Sequence, residues 1–187
     1  ASLKDNKNIK AFSSRTIVIG MGATAHGSLG LQVIGVEPEN EKLVTNIHAC
    51  MKKGSYFSKT KSKPVLIGEA LAEKLKLDLK KKLYITFVNE DGYQQRMKLK
   101  VNGIFKTASS LFDETNVYMK REDLLSFINK ESVTHEIAIM CNSINDADST
   151  KNELAIAFNN AKVETWADIN PELGYANELM STFIFIF

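Results

Sequence analysis

PVLIGEALAEKLKLDLKKKLYITFVNEDGYQQRMKLKVNGIF, residues 64–105, carries strand, helix and hairpin signals in unbroken order. Residues 65–67 form a short apolar run closed by Gly68 and read as a strand. Residues 69–76 predict a short helix: Leu71 and Leu75 sit at i, i+4, and Glu69 suits the positive end of the helix dipole. Residues 83–88 and 97–105 predict two strands around Asn89-Glu90-Asp91-Gly92, where the Asp-Gly step supplies the positive φ that a tight hairpin turn needs. In the second of these, Met97, Leu99 and Val101 alternate with Lys98 and Lys100, as in a strand with one dry and one wet face. A further strand at 116–120 and a short helix at 121–128 follow. Hairpin-linked strands interspersed with short helices predict an α+β protein.

Towards the N-terminus, residues 15–20 (RTIVIG) and 31–36 (LQVIGV) predict strands, antiparallel neighbours joined by the small-residue stretch MGATAHGSLG, expected to be a mobile loop. Residues 41–53 place Leu43, Val44, Ile47 and Met51 at helical spacing, Gly54 interrupts that pattern, and residues 59–63 read as a basic linker. Residues 1–10 are polar, the end of a helix or a frayed arm. Towards the C-terminus, residues 135–141 predict a strand with Ile137, Ile139 and Cys141 on one face. Residues 146–159 predict a helix with Leu154, Ala155 and Phe158 as its stripe, and residues 163–166 a short strand. The segment 62–129, with its own helix pair and strands, reads as an insertion between two halves of an outer subdomain, residues 1–61 and 130–180.

Composition excludes several classes. The 187 residues carry 24 Lys and Arg against 22 Asp and Glu, a net of +2, so no basic surplus advertises a nucleic-acid binder. The two cysteines, Cys50 and Cys141, are too few for a disulfide scaffold and belong to no metal-ligand cluster; one bridge or two buried thiols both fit. The polar opening is no secretory signal, and no apolar run is long enough to cross a bilayer. The chain nevertheless stops on Phe183-Ile184-Phe185-Ile186-Phe187, and residues 181–187 are expected to begin a transmembrane helix.

No catalytic constellation emerges. Gly20-Met21-Gly22-Ala23-Thr24-Ala25 follows a strand and matches the dinucleotide fingerprint, with Glu37 near the end of the next strand. The mechanism fails on length, because a crossover helix needs a dozen or more residues and only 21–30, with three glycines, separate the strands. No helix N-terminus would then receive a pyrophosphate. His26, His48 and His135 fall in separate segments without ligand spacing, and Glu90-Asp91 and Glu122-Asp123 fit a turn and a helix start. No metal or cofactor is expected. Trp166, the single tryptophan, is expected to anchor a core or subdomain interface, and Pro171 to start a helix leading into the apolar end.

Several segments together resemble a known family: LQVIGVEPENEK (31–42), KGSYF (53–57), residues 64–87, VNGIFKT through LFDETNVYMKREDLLSFI (101–128), and VETWADINPELGYANELMSTFIFIF (163–187). In order and spacing they are similar to the extracytoplasmic domain of MacB/FtsX-like ABC transporter permeases, closest to the lipoprotein-releasing type. The resemblance implies two subdomains, a discontinuous porter-like one (1–61 and 130–180) interrupted by a sabre-like, β-rich one (62–129). It implies a bacterial inner-membrane protein with this domain on the periplasmic side and no chemistry of its own. An ABC ATPase subunit would hydrolyse ATP, a second permease copy would complete a dimer, and a lipoprotein or periplasmic partner would be met outside. Substrate or partner contact is expected at Gly22 and Gly27 of the loop and at Phe112 and Asp113 of an exposed connection, with membrane-proximal coupling at Trp166 and Pro171. Some lipoprotein-releasing permeases recruit a carrier with a long hairpin, whereas here the hairpin closes at residues 89–92, which argues against that device. The competing class is a free-standing extracytoplasmic binding module whose loop 21–30 faces the ligand.

Overall fold

Met97, Leu99 and Val101 are buried while Lys98 and Lys100 face water, so the alternation in the sequence becomes the two sides of a strand. The computed structural model describes residues 3–57, 63–89 and 91–169. In chain order the strands are β1 (Ile9–Thr24), β2 (Gly27–Val36), β3 (Met51–Gly54), β4 (Pro64–Gly68), β5 (Lys82–Val88), β6 (Gln94–Phe105), β7 (Asn116–Lys120) and β8 (Glu136–Cys141). The helices are α1 (Pro38–Val44), α2 (Glu69–Lys74), α3 (Ser110–Thr115), α4 (Arg121–Ile128), α5 (Ala147–Ala157) and α6 (Trp166–Ile169). The α+β class expected from the sequence is the one observed.

The strands form an eight-stranded sheet whose hydrogen bonding closes on itself. β5 and β6 make the expected hairpin, from Lys82 opposite Lys100 to Val88 opposite Gln94. β6 then pairs parallel with β4, β4 antiparallel with β7, and β7 parallel with β2. β2 pairs antiparallel with β1, from Thr16 opposite Gly35 to Thr24 opposite Gly27, and β1 returns to β5 at Met21, Gly22 and Ala23. Six strands thus complete a circuit, with β8 beside β1 and β3 beside β6.

The inner side of the circuit collects the main core: Leu31 and Val33, Val65 and Ile67, Leu83, Ile85 and Phe87, Met97, Leu99 and Val101, Val117 and Met119. Leu71 of α2, Leu75 just after it and Leu124 of α4 join it. On the opposite side of β2, β4, β6 and β7, a smaller cluster gathers Ile34, Val36, Leu66, Phe105 and Tyr118 beneath Ile47, Tyr56, Phe57 and Phe112. Truncating one of these large buried side chains to alanine typically costs about 2–5 kcal/mol.

Four expectations are corrected. Residues 21–30 are no mobile loop: β1 continues to Thr24, β2 starts at Gly27, and only Ala25 and His26 turn between them. Residues 41–53 are not one helix, because Leu43 is exposed while Ile47 is buried; α1 ends at Val44, Thr45 is extended, and Met51 enters β3. In β8, Ile137 is exposed and no residue is buried, so its apolar alternation marks no core face. Residues 163–165 pair with no strand, and Trp166 opens α6.

Two compact units are resolved, residues 11–139 and residues 1–10 with 140–187. β4 to β7 of the segment 62–129 share the ring with β1 and β2, which holds residues 11–61 in the same unit. In the other unit, Asn142 donates from its backbone N–H to Asn8 and from its amide to the Lys7 carbonyl, and Asn6 donates to Glu153 at 2.8 Å. Ser143 and Asp146 cap the start of the helical segment that becomes α5. Both cysteines are free thiols. Among the described residues no helix is long and apolar enough to cross a membrane.

Close packing where β4 turns into α2 makes a test. A Cβ on Gly68 would lie 2.0 Å from the Asp113 carbonyl oxygen, a backbone atom that cannot rotate aside. Gly68→Ala should therefore cost at least about 2 kcal/mol in urea unfolding, whereas Gly30→Ala, which meets nothing within 4 Å, should stay within about 0.5 kcal/mol.

Candidate functional site

Among the described residues a dense polar assembly surrounds Arg15 on β1. Pro38 opens α1 at a position that needs no N–H donor, and the first turn of that helix sets Glu41 against β1. Arg15 grips Glu41 with both arms of its fork, Nη2 to Oε1 at 2.7 Å and Nε to Oε2 at 3.3 Å. Glu41 is fully buried, and Nη1 of Arg15 reaches the more exposed Glu136. Burial opposes the Arg15 charge, but the hydrogen bonds and field of Glu41 more than offset it, so its pKa is raised above the ordinary value. Burial likewise pushes the neighbouring Tyr118 phenol up.

A second arginine extends the assembly. Arg121, the first residue of α4, donates from Nε to Thr16 Oγ1 at 3.2 Å, and from Nη2 to the Val133 carbonyl at 3.2 Å and Thr134 Oγ1 at 2.9 Å. Its Nη1 pairs with Glu37 at 3.4 Å. The Thr16 hydroxyl donates to the Val133 carbonyl, the His135 N–H donates to the Arg15 carbonyl, and His135 Nδ1 accepts from Ile17 N–H. Two guanidinium groups therefore fasten β1, α1, α4 and the approach to β8. These groups are mutually satisfied, and the cluster contains no activated nucleophile. What it can do is hold geometry. Among the described residues no cluster of His, Cys, Asp or Glu could hold a metal ion.

The residues singled out from the sequence lie elsewhere. Gly22 is buried in β1, where a Cβ would strike Leu31 Cδ1 at 2.1 Å, so it gives room to the core rather than mobility to a loop. Gly27 is exposed at the hairpin turn with φ +156°. Phe112 and Asp113 belong to α3 and not to an exposed connection. Phe112 packs beside Phe105 and Tyr118, with ring centroids 6.3 and 6.4 Å away. Asp113 is buried and accepts from the N–H and Oγ1 of Thr107 at 2.9 and 2.7 Å. Being buried, Gly22 and Asp113 offer no surface to a partner. Trp166 is 37% exposed at the start of α6, so it is not a deep core anchor. Pro171 and residues 181–187 lie outside the described residues.

Arg15, Glu41 and Arg121 escaped notice because the pairs are remote in sequence, 26 residues for Arg15 with Glu41 and 105 for Arg121 with Thr16. The one available signal was a charge, Arg15, opening the apolar run TIVI. In the unit of residues 1–10 and 140–187, a shallow groove of about 500 Å³ is lined by Leu3, Asn6, Lys7, Glu153, Leu154 and Phe158. It gathers no catalytic set.

No family model matches the sequence, and no curated protein matches it. Solved structures do. The chain is similar to the extracellular domain of the noncanonic ABC-type transporter YknZ from Gram-positive bacteria, with TM-score 0.58 and 14% identity over 86% of this chain and 82% of that one. It is also similar to the periplasmic region of MacB from Actinobacillus actinomycetemcomitans, with TM-score 0.54 and 14% identity over 83% of this chain and 70% of that one. The fold is shared with these domains. It is the α+β fold that the resemblance of the sequence implied.

Two expectations follow from the charges. Glu41→Ala leaves Arg15 buried beside an empty site and should cost about 3–5 kcal/mol in equilibrium unfolding, whereas loss of the half-exposed Glu136 should cost under about 1 kcal/mol. In α6, Asp168 accepts from Lys151 Nζ and from the N–H and Oγ1 of Thr165, which pulls its pKa from 3.8 to about 2. A depressed carboxyl stabilises the fold above its unfolded pKa and loses that contribution as pH falls through the folded one. The Asp168 carboxyl resonance should therefore titrate near pH 2, and should return towards 3.8 in Lys151→Ala.

Proposed function

We propose that this chain is an extracytoplasmic domain of an ABC transporter permease, without catalysis of its own. It passes motion generated by a separate ATPase to a substrate outside the inner membrane. The observation that carries this reading is the likeness of fold to two transporter domains over more than four fifths of the chain. A lever needs to move as one body, and rigid-body displacement of paired domains is an established means of transmission. The ring of residues 11–139, closed by hydrogen bonds and fastened by Arg15 and Arg121, suits that work.

In this reading residues 62–129 are the sabre-like insertion and residues 1–61 and 130–180 the porter-like part, two of whose strands, β1 and β2, pair into the ring. Trp166 and Pro171 serve coupling on the membrane-proximal side. The partners are an ABC ATPase subunit and a second permease copy, and the cargo is a lipoprotein or another periplasmic molecule. The tight turn at residues 89–92, where Asn89 bonds Gly92 and Tyr93, supports a mode of action without a long carrier-recruiting hairpin.

Insertion of alkaline phosphatase after Gly92 in the full-length gene product tests the placement. Activity in whole cells, together with a dark green fluorescent protein at the same position, is the expected result. Fluorescence without phosphatase activity would overturn the reading.

A further inference from the structure

On β5, the adjoining residues 19–23 of β1 and residues 94–100 of β6, the outward side chains are exposed or half-buried and belong to neither hydrophobic cluster. The register sets the composition of this face. Lys82 lies opposite Lys100, Tyr84 opposite Lys98, Thr86 opposite Arg96, and Val88 opposite Gln94, all outward because Leu83, Ile85, Phe87, Met97 and Leu99 point inward. On the next strand Met21 lies opposite Thr86 and Ala23 opposite Tyr84. Beside the cations stands an exposed apolar band, with Ile19 76%, Met21 49% and Val88 67% accessible.

We propose that this face docks an acidic protein surface with an apolar centre. None of these outward positions carries a carboxylate, and among the described residues Lys82, Lys98 and Lys100 have no carboxylate partner. Lys82 directly opposite Lys100 is a like-charged cross-strand pair, a destabilising arrangement that a partner's carboxylate would relieve. Arg96 is already ordered, its guanidinium 4.4 Å from the Tyr84 ring centroid, so less freedom is lost when an anion arrives. The charge is local to this unit: residues 11–139 hold 19 Lys and Arg against 14 Asp and Glu, a net of +5, against +2 for the whole chain.

Charge complementarity thus selects an anionic partner, and the apolar band selects one with hydrophobic contact area at its centre. A bounded protein surface fits better than an anionic membrane, because the exposed Asp91 stands at the hairpin end next to the apolar band. A plane of phosphates would meet that acid together with the lysines, whereas a protein patch can cover the cations alone. The face would take such a partner whether or not the chain belongs to a transporter.

The test uses the intact chain and a fluorescent random copolymer of glutamate and tyrosine, followed by anisotropy, with polyglutamate and phosphatidylglycerol vesicles as comparison probes. The copolymer should bind, should weaken when salt is raised to about 0.15 M, and should bind at least tenfold more weakly to the Lys98→Glu/Lys100→Glu variant. The milder Lys98→Gln/Lys100→Gln variant, with an unchanged circular dichroism spectrum, should show the same direction of loss. Preference for the copolymer over polyglutamate should vanish in Ile19→Ser/Met21→Ser. Absence of copolymer binding, equal binding by the folded lysine variants, or binding to the vesicles alone would overturn the proposal.

Discussion

Backbone pairing on both sides of residues 21–23 is the constraint on which the rest of this structure depends. There β1 is bonded to β2 and to β5 at once, and that double pairing turns an open sheet into a circuit. Closure removes the exposed edges that an open sheet of this size would present to other chains. It also dictates small residues. A Cβ at Gly20 would lie 2.6 Å from the Thr86 carbonyl oxygen, and one at Gly22 would displace the Leu31 side chain from the core. The glycines that imitate a nucleotide-binding loop are thus the means by which two strands and a core leucine approach closely enough to close the ring.

Charge is used inside this frame to fix arrangement rather than to add net stability. Desolvating Arg15 and Glu41 consumes most of what their attraction returns, so the pair is weak evidence for stability in itself, although a lone survivor would be expensive. Its geometric content is greater. A planar fork accepts a carboxylate in few orientations, and Arg121 reads one backbone carbonyl and one hydroxyl of residues 133 and 134. Together they specify where α1 lies on β1 and where the chain must run as it approaches β8.

From β4 to α4 every element except α3 was legible in the sequence, because each carries a local signal that its tertiary setting does not override. The alternation of Met97, Leu99 and Val101 with lysines, the turn at Asp91-Gly92, and the Leu71 and Leu75 pair all became what they predict. The failures share a cause, which is that pairing partners lie far away in sequence. Nothing local says that a run of Gly, Ala and Ser will be held in strands by Tyr84, Ile85 and Thr86. Leu43, Val44, Ile47 and Met51 keep helical spacing, yet Met51 is drawn into β3 by pairing with Phe105. For the site residues the same reasoning applies: a glycine is ambiguous between freedom and close packing, and Asp113 between display and an internal cap, until the neighbour is known.

A fold does not carry a function with it, and a likeness at 14% identity conveys the shape of these domains but not their cargo. Among the described residues of the ring unit, buried side chains are apolar or hydrogen-bonded except the Ser13 hydroxyl, a small neutral group that could discriminate little between ligands. Discrimination must then come from the outside, where side chains are free of the packing constraints that fixed the core. The strands there could have carried mixed charge without altering a single buried contact, since outward positions on β5 and β6 share no core neighbours. That they carry lysine opposite lysine, beside bare isoleucine and valine, is therefore a property folding did not require. Surface chemistry that stability does not explain is where a domain declares what it touches.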